Sequence, residues 1–246
     1  MINNNLILNV YKNKTSKSPL STQMLYGEKF KIIKKYKKFI KIKTFYDNYI
    51  GYVKNKKYKT DIKPTHKILT LSANLYSKPS KKYKLNKKIS FGSCIKIKKM
   101  RNNFLSFDKY WINKKNIIPI EKTIPLFSKL KIFKNIKYKW GGKTFKGIDC
   151  SGLVQIFYKF NNKFCPRDSK DQMKYFRKNV KINKIKKNNL IFWKGHVAVS
   201  LSNKELIHAY GPRKKVVIMN IKETINEIEK KSKLKVKFIK NEKPRN

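Results

Sequence analysis

The chain has 246 residues, 40% of them hydrophobic and 13% aromatic, with 63 lysines and arginines against 13 acids and a formal net charge of +50. That apolar content excludes a disordered polyelectrolyte, and no run approaches the roughly 20 apolar residues of a membrane span. Three cysteines (Cys94, Cys150, Cys165) without a C-x-x-C pair, and three histidines (His66, His196, His208), exclude a disulfide framework and a zinc site of the usual spacing. No metal or organic cofactor is expected. Only five of the basic side chains are arginine, and the lysines run along the whole chain together with asparagine and isoleucine. All three are encoded by A/T-rich codons, so genome bias accounts for the charge. Binding of an anionic polymer, nucleic acid or cell-wall material, is the alternative; a single basic stripe would favour it. The N-terminus MINNNLILNVYKNK lacks a basic segment, apolar stretch and cleavage site in succession, and a cytoplasmic protein is therefore expected.

Residues 1–60 read as short strands separated by turns at Tyr26-Gly27-Glu28, Asp47-Asn48 and Gly51. Residues 61–122 repeat the order of strand, loop, glycine turn, strand and aromatic close. Leu25-Tyr26-Gly27-Glu28 answers to Ile89-Ser90-Phe91-Gly92, and Tyr49-Ile50-Gly51-Tyr52-Val53 to Lys109-Tyr110-Trp111-Ile112. The spacing fits a small β-barrel or sandwich; two barrels in tandem are expected, with one irregular β domain as the alternative. Cys94 falls in an apolar strand and reads as a packed, inert thiol.

From 123 to 246 the pattern changes. Leu126, Phe127, Leu130, Ile132 and Phe133 predict a helix whose start Pro125 limits. Then comes the stretch on which the chain is organised, IKYKWGGKTFKGIDCSGLVQ at 136–155. A glycine-rich loop delivers Cys150 to the start of a helix in which Leu153, Val154, Phe157 and Tyr158 bury one face. Unpaired N–H groups there favour a thiolate, so Cys150 is a candidate nucleophile. Asp168 or Ser169 caps a second helix. NLIFWK, HVAVSLS, KELIHAY and KVVIMNI read as strands, ETINEIEKKSK as a helix and LKVKFIK as a last strand. Helices followed by an antiparallel sheet make an α+β domain. His196 and His208 fall on adjacent strands of a predicted hairpin. If both rings project toward the helix start, they supply a base and its orienter; otherwise each is a structural histidine. Cys165, Trp140 and Trp193 read as structural residues, the two tryptophans as core aromatics.

Y-x-W-G-G-x(6)-D-C-S-G-L-V-Q, P-R-D-S-x-x-Q, L-I-F-W…H-V-A and I-H-A resemble the NlpC/P60 family of cysteine peptidases, with a papain-like α+β fold acting on peptidoglycan stem peptides. The resemblance covers about 123 to 240. It implies Cys150 as nucleophile, His196 as base and His208 as third polar residue. It also implies that Tyr138, Asp149 and Ser151 bind the free amine of the substrate's L-alanine. The upstream pair resembles the bacterial SH3-type domains of γ-D-glutamyl-L-diamino acid endopeptidases, where an acid and a tyrosine contribute; Glu28 and Tyr49 are the candidates here. Asn188-Asn189 stands where the family has Gly-Asp, at a turn. The expected function is thus a thiol endopeptidase cleaving the γ-D-glutamyl–diamino acid bond of free stem peptides during murein recycling. A hydrolase of intact peptidoglycan, an acyl or amide transferase on the same cysteine–histidine fold, and a non-enzymatic SH3 protein binding wall material or polyanions are the alternatives.

Overall fold

Alternation along Ile7–Tyr11 buries Leu8 and Val10 and leaves their neighbours half-exposed, the period of a strand covered on one face. In the computed structural model, which describes residues 1–60, 63–176 and 178–243, this is β1. It is followed by β2 (Leu20–Leu25), β3 (Phe30–Lys35), β4 (Phe39–Thr44) and β5 (Ile50–Lys54), all antiparallel in the order β2-β1-β5-β4-β3. Leu8, Val10, Met24, Phe30, Ile40, Ile42, Val53 and Tyr58 form one core. The second run comprises β6 (His66–Ile68), β7 (Ser72–Tyr76), β8 (Lys84–Ser90), β9 (Cys94–Ile95), β10 (Lys99–Arg101), β11 (Phe104–Phe107), β12 (Tyr110–Asn113) and β13 (Ile117–Pro119). Among the described residues these make two sheets, β10-β11-β12-β7-β8 and β13-β6-β9.

The chain divides into two units: residues 1–123 with 143–145, and 124–142 with 146–246. The expected closed barrels differ from what forms in the first unit, whose strands make open sheets. Bulges at Val10/Tyr11, Ile32/Lys34 and Asn74/Tyr76 interrupt the ladders. Ile2 meets Lys29 and Lys59 only through isolated bridges. Tyr26 reaches into the second core with Ile68, Leu75, Ile89, Ile95 and Phe107. Gly27, at φ +85°, is obligatory beside it, because a Cβ there would lie 2.1 Å from the Cys94 carbonyl oxygen. Glu28 is buried, its carboxylate 3.7 Å from the Lys143 ammonium. Tyr49 is half-buried in the Asp47 turn, its N–H on Thr44 Oγ1 at 2.8 Å. The step between the two expected modules abuts residues 61–62, which lie outside the described residues.

In the second unit no helix forms over 126–133. Only a 3-10 turn, Leu130–Phe133, follows Pro125. Phe127 sits at φ +62°, outside helical space, yet Phe127, Leu130 and Phe133 are all buried. The short β14 (Lys143–Thr144), which belongs to the first unit, and β15 (Gly147–Ile148) precede α1 (Cys150–Phe160) and α2 (Ser169–Tyr175). α1 was expected to bury one face. It buries every residue but Lys159, so it is a central helix, packed on the sheet and flanked by Phe127 and Phe133, whose rings lie 5.8 Å from that of Phe157. Asp168 holds the N-cap position of α2, though its side chain makes no capping bond.

The sheet is β19-β18-β17-β16-β20, from β16 (Leu190–Trp193), β17 (His196–Ser200), β18 (Glu205–Tyr210), β19 (Lys215–Asn220) and β20 (Phe238–Lys240). Asn220 caps α3 (Ile221–Ser232) by accepting from the N–H groups of Lys222 and Glu223. The Asn188-Asn189 turn is structural: Asn188 takes φ +71°, which asparagine tolerates, and Asn189 Oδ1 accepts from Lys186 N–H at 2.8 Å. No described helix is long and apolar enough to cross a membrane.

Candidate active site

The motif Y-x-W-G-G is fixed from two sides. On one, residues 135–138 run along β19: Asn135 N–H donates to Val216 and Tyr138 N–H to Lys214. On the other, Lys139 N–H donates to Ile148. Gly142 must lack a side chain, since a Cβ would come within 2.5 Å of the Gly147 oxygen. The loop so pinned leads to Asp149, the N-cap of α1, whose Oδ1 accepts from Gly152 N–H at 2.7 Å. Cys150 is therefore the first residue of the helix and is 7% exposed.

Asp149 does more than cap. Arg167 grips it with both arms, Nη2 to Oδ2 at 2.6 Å and Nη1 to Oδ1 at 3.0 Å, and Nη1 also donates to Ser151 Oγ at 3.0 Å. Gly141 N–H donates to Oδ2 at 2.8 Å, and Ser151 Oγ lies 3.4 Å from Oδ1. Gln172 ties the Ser151 and Pro166 carbonyls, each at 2.9 Å. Asp149 and Ser151, expected to offer acceptors to an amine, thus already carry internal bonds. Sequence reasoning gave Arg167 no role; its signal was rarity, one of five arginines in a lysine-rich chain, in the place where planar two-armed binding matters.

His196 opens β17 and His208 lies on β18, with Val199 opposite Ile207 in the register between them. His196 Nε2 and His208 Nδ1 are 2.8 Å apart. The His208 ring stacks on Tyr210 at 12° with centroids 4.8 Å apart, and Trp193 lies 5.5 Å from His196. Tyr210, two residues along the same strand face, also escaped the sequence reading; period-two spacing was its signal. Trp193 is core. Trp140 is not: it is 67% exposed on the outer side of the glycine turn, contrary to the expected core position. Cys165 is buried, its Sγ 3.6 Å from the Pro166 oxygen, and Cys94 is half-buried in β9.

The electrostatics reverse one expectation. Burial, and then the Asp149 charge, push the Cys150 thiol up to about 12; hydrogen bonds from the Val197 and Ser151 backbone and the Arg167 charge pull it down without offsetting burial. Burial lowers His196 to about 4, and burial, then the neighbouring His196 and Arg213 charges, hold His208 well below the ordinary range. The resting pair is thus neutral thiol and neutral imidazole; the helix terminus does not leave a standing thiolate. The Tyr138 hydroxyl is raised by burial and by the charges of Cys150 and Asp149, which sets it in their neighbourhood. Among the described residues no group of His, Cys, Asp and Glu converges that could hold a metal.

A profile described as the NlpC/P60 family matches residues 135–233, and one described as the bacterial dipeptidyl-peptidase SH3 domain matches residues 10–57. This chain carries an NlpC/P60 domain behind a bacterial SH3 domain. NlpC/P60 peptidases are cysteine hydrolases. Dipeptidyl-peptidase 6 of Lysinibacillus sphaericus is 39% identical over 72 residues, 29% of this chain and 27% of that protein. Two proteins named γ-D-glutamyl-L-lysine dipeptidyl-peptidase are similar as well. That of Bacillus subtilis is 33% identical over 39% of this chain and 35% of its own length; that of Bacillus cereus is 26% identical over 83% and 72%. The chain therefore aligns with about a third or less of the first two relatives. The crystal structure of an NlpC/P60 family protein from Bacillus cereus shares the fold, with a TM-score of 0.82 over 98% of both chains at 19% identity.

Proposed function

We propose that this chain is a cysteine endopeptidase of peptidoglycan stem peptides, cleaving the γ-D-glutamyl bond to the diamino acid when the L-alanine amine is free. The observation that carries this reading is the 2.8 Å contact of His196 Nε2 with His208 Nδ1, on strands packed against the helix that starts at Cys150. In the competent tautomer His196 Nε2–H donates to His208 Nδ1, which leaves His196 Nδ1 bare to take the thiol proton. The opposite tautomer would protonate His196 Nδ1 and remove the base. Since both groups start neutral, proton transfer accompanies attack.

Cys150 Sγ bonds to the γ-carbonyl carbon while N–H groups at the start of α1 and the Tyr138 hydroxyl hold the oxyanion. The imidazolium then protonates the departing amine and the C–N bond breaks. Water, deprotonated by His196, hydrolyses the thioester. We assign the substrate ammonium to Tyr138, Asp149 and Ser151. The 3.4 Å contact between Ser151 Oγ and Asp149 Oδ1 is the longest in the cluster, so it is the bond an ammonium displaces at least cost. The reading takes residues 1–60 and 61–122 as two SH3-like modules and 123–246 as the peptidase domain; one apolar cluster lies wholly within 1–60, and the other lies within 61–122 apart from Tyr26 and Leu6, which supports that division. Free stem peptides are turnover products, so it also takes the protein as a cytoplasmic recycling enzyme. The names of the Bacillus relatives support the bond class.

The test is mass spectrometry of products from L-Ala-γ-D-Glu-L-Lys and its diaminopimelate counterpart, free and N-acetylated. Release of L-Ala-γ-D-Glu from the free peptides alone is expected, with loss of at least about 10⁴-fold in Cys150→Ala. Undiminished turnover by that variant refutes the peptidase assignment. Equal rates on blocked and free peptides replace it with hydrolysis of intact murein.

A further inference from the structure

The N-terminal unit contains a cleft of about 550 Å³ that the peptidase chemistry does not use, a volume suited to a small ligand. Lys57 and Lys59, from the segment after β5, and Lys96 and Lys98, from the segment between β9 and β10, all line it. Each pair brackets a residue driven into a core. Tyr58 is 9% exposed within the first cluster, and Ile97 packs against the second. With the middle residue turned inward, the lysines on either side of it face away from the core together. Codon bias spreads lysines over a surface, but it does not make two pairs converge on one cavity.

Tyr26, 3% exposed, and Tyr58 also line the cleft, together with Asp108, the one acid among its described lining residues. Asp108 is already satisfied: the Lys59 ammonium meets one oxygen and the Tyr26 hydroxyl donates to the other. Lys57, Lys96 and Lys98 have no acid partner among the described residues. Burial raises both tyrosine hydroxyls, so they stay neutral. The cleft therefore presents ammonium groups with no acid partner among the described residues, over a floor closed by two buried tyrosines.

We propose that this cleft binds a small phosphate-bearing molecule carrying at least two negative charges, held by Lys57, Lys96 and Lys98. Phosphate is favoured over carboxylate because the cationic donors are all lysine, a point charge suited to phosphate. Planar carboxylates are read by arginine forks, and no arginine is among the described residues lining the cleft.

Calorimetric titration of the full chain with inorganic pyrophosphate, and separately with ADP, tests this at about 0.15 M salt. Saturable binding of pyrophosphate is expected, and of ADP with similar affinity, since the charged diphosphate is what the lysines meet and the buried tyrosines offer no face to a base. The double variant Lys96→Ala/Lys98→Ala should bind about tenfold more weakly. Lys57→Ala, from the other segment, should weaken binding in the same direction. The equally charged control Lys81→Ala/Lys82→Ala, on an exposed turn outside the cleft, should stay within about twofold. Equal weakening in cleft and control variants would make the effect one of net charge and overturn the proposal. So would failure of pyrophosphate to bind the wild type, or binding confined to duplex DNA with a steep salt dependence.

Discussion

Two aspartates in this molecule are each held by a base and a hydroxyl, with different results. Asp149 meets Arg167 and Ser151 in a cluster where the two charged side chains are 9% and 2% exposed. Asp108 meets Lys59 and Tyr26 at a cleft where the charged side chains are 17% and 41% exposed. Arginine's fork consumes both oxygens of Asp149, and two backbone N–H groups take what remains, so that cluster is a rigid brace between the glycine loop and α1. Lysine's single ammonium leaves Asp108 at an open site among further lysines that have no acid partner among the described residues. Burial and donor geometry, more than charge sign, decide whether an acid–base pair becomes scaffold or rim.

The comparison is sharpened most by Arg167→Ala. Removing the fork leaves a buried carboxylate, and a loss of about 3–5 kcal/mol in denaturant unfolding is expected; a loss under 1 kcal/mol would place Asp149 with Asp108. Next comes His208→Ala, which frees the tautomer of His196. About a hundredfold lower kcat is expected, with a stability loss of about 2 kcal/mol from the cavity left beside Tyr210; steady-state rates beside thermal unfolding separate the two, and an unchanged kcat would remove His208 as orienter.

The third is pH dependence. His196 sits near 4 in the folded chain against an ordinary 6.5, so the unfolded chain binds the proton more readily between those values. Stability is full above 6.5 and falls as pH drops toward 4. The acid limb of kcat/KM is expected near 4 as well. Urea midpoints and a pH–rate profile report both, and an acid limb at 6.5 would mean a solvated His196. The smallest effect is expected for Lys59→Ala, under about 1 kcal/mol by denaturant unfolding, because its partner pair is exposed and screened. A larger loss there would erase the contrast with Arg167.

Much of the peptidase domain was legible in the sequence. The cap at Asp149, the apolar run after Cys150 and the alternation in HVAVS and ELIHAY are local signals, and each produced its element. The 126–133 segment failed as a helix because its apolar spacing was right but Phe127 was needed in the core at a backbone angle no helix allows. Trp140 was placed in the core by residue type, while the turn at Gly141 left it outside. The thiol was expected to be acidified by its helix terminus. Burial outweighed that, and burial depends on the whole fold.

By itself the sequence determined which groups exist and in what order: one cysteine at a helix start, two histidines on neighbouring strands, a rare arginine after a proline, and lysines in K-Y-K and K-I-K. Spacing along the chain fixes these, since helix and strand periods are local. Only the tertiary structure decided how they are paired. It brought His208 to 2.8 Å from His196, closed Arg167 on Asp149 across 18 positions of sequence, and turned two distant lysine pairs into one cleft. Such contacts depend on which faces pack together, and on the desolvation that packing imposes, which no local period contains.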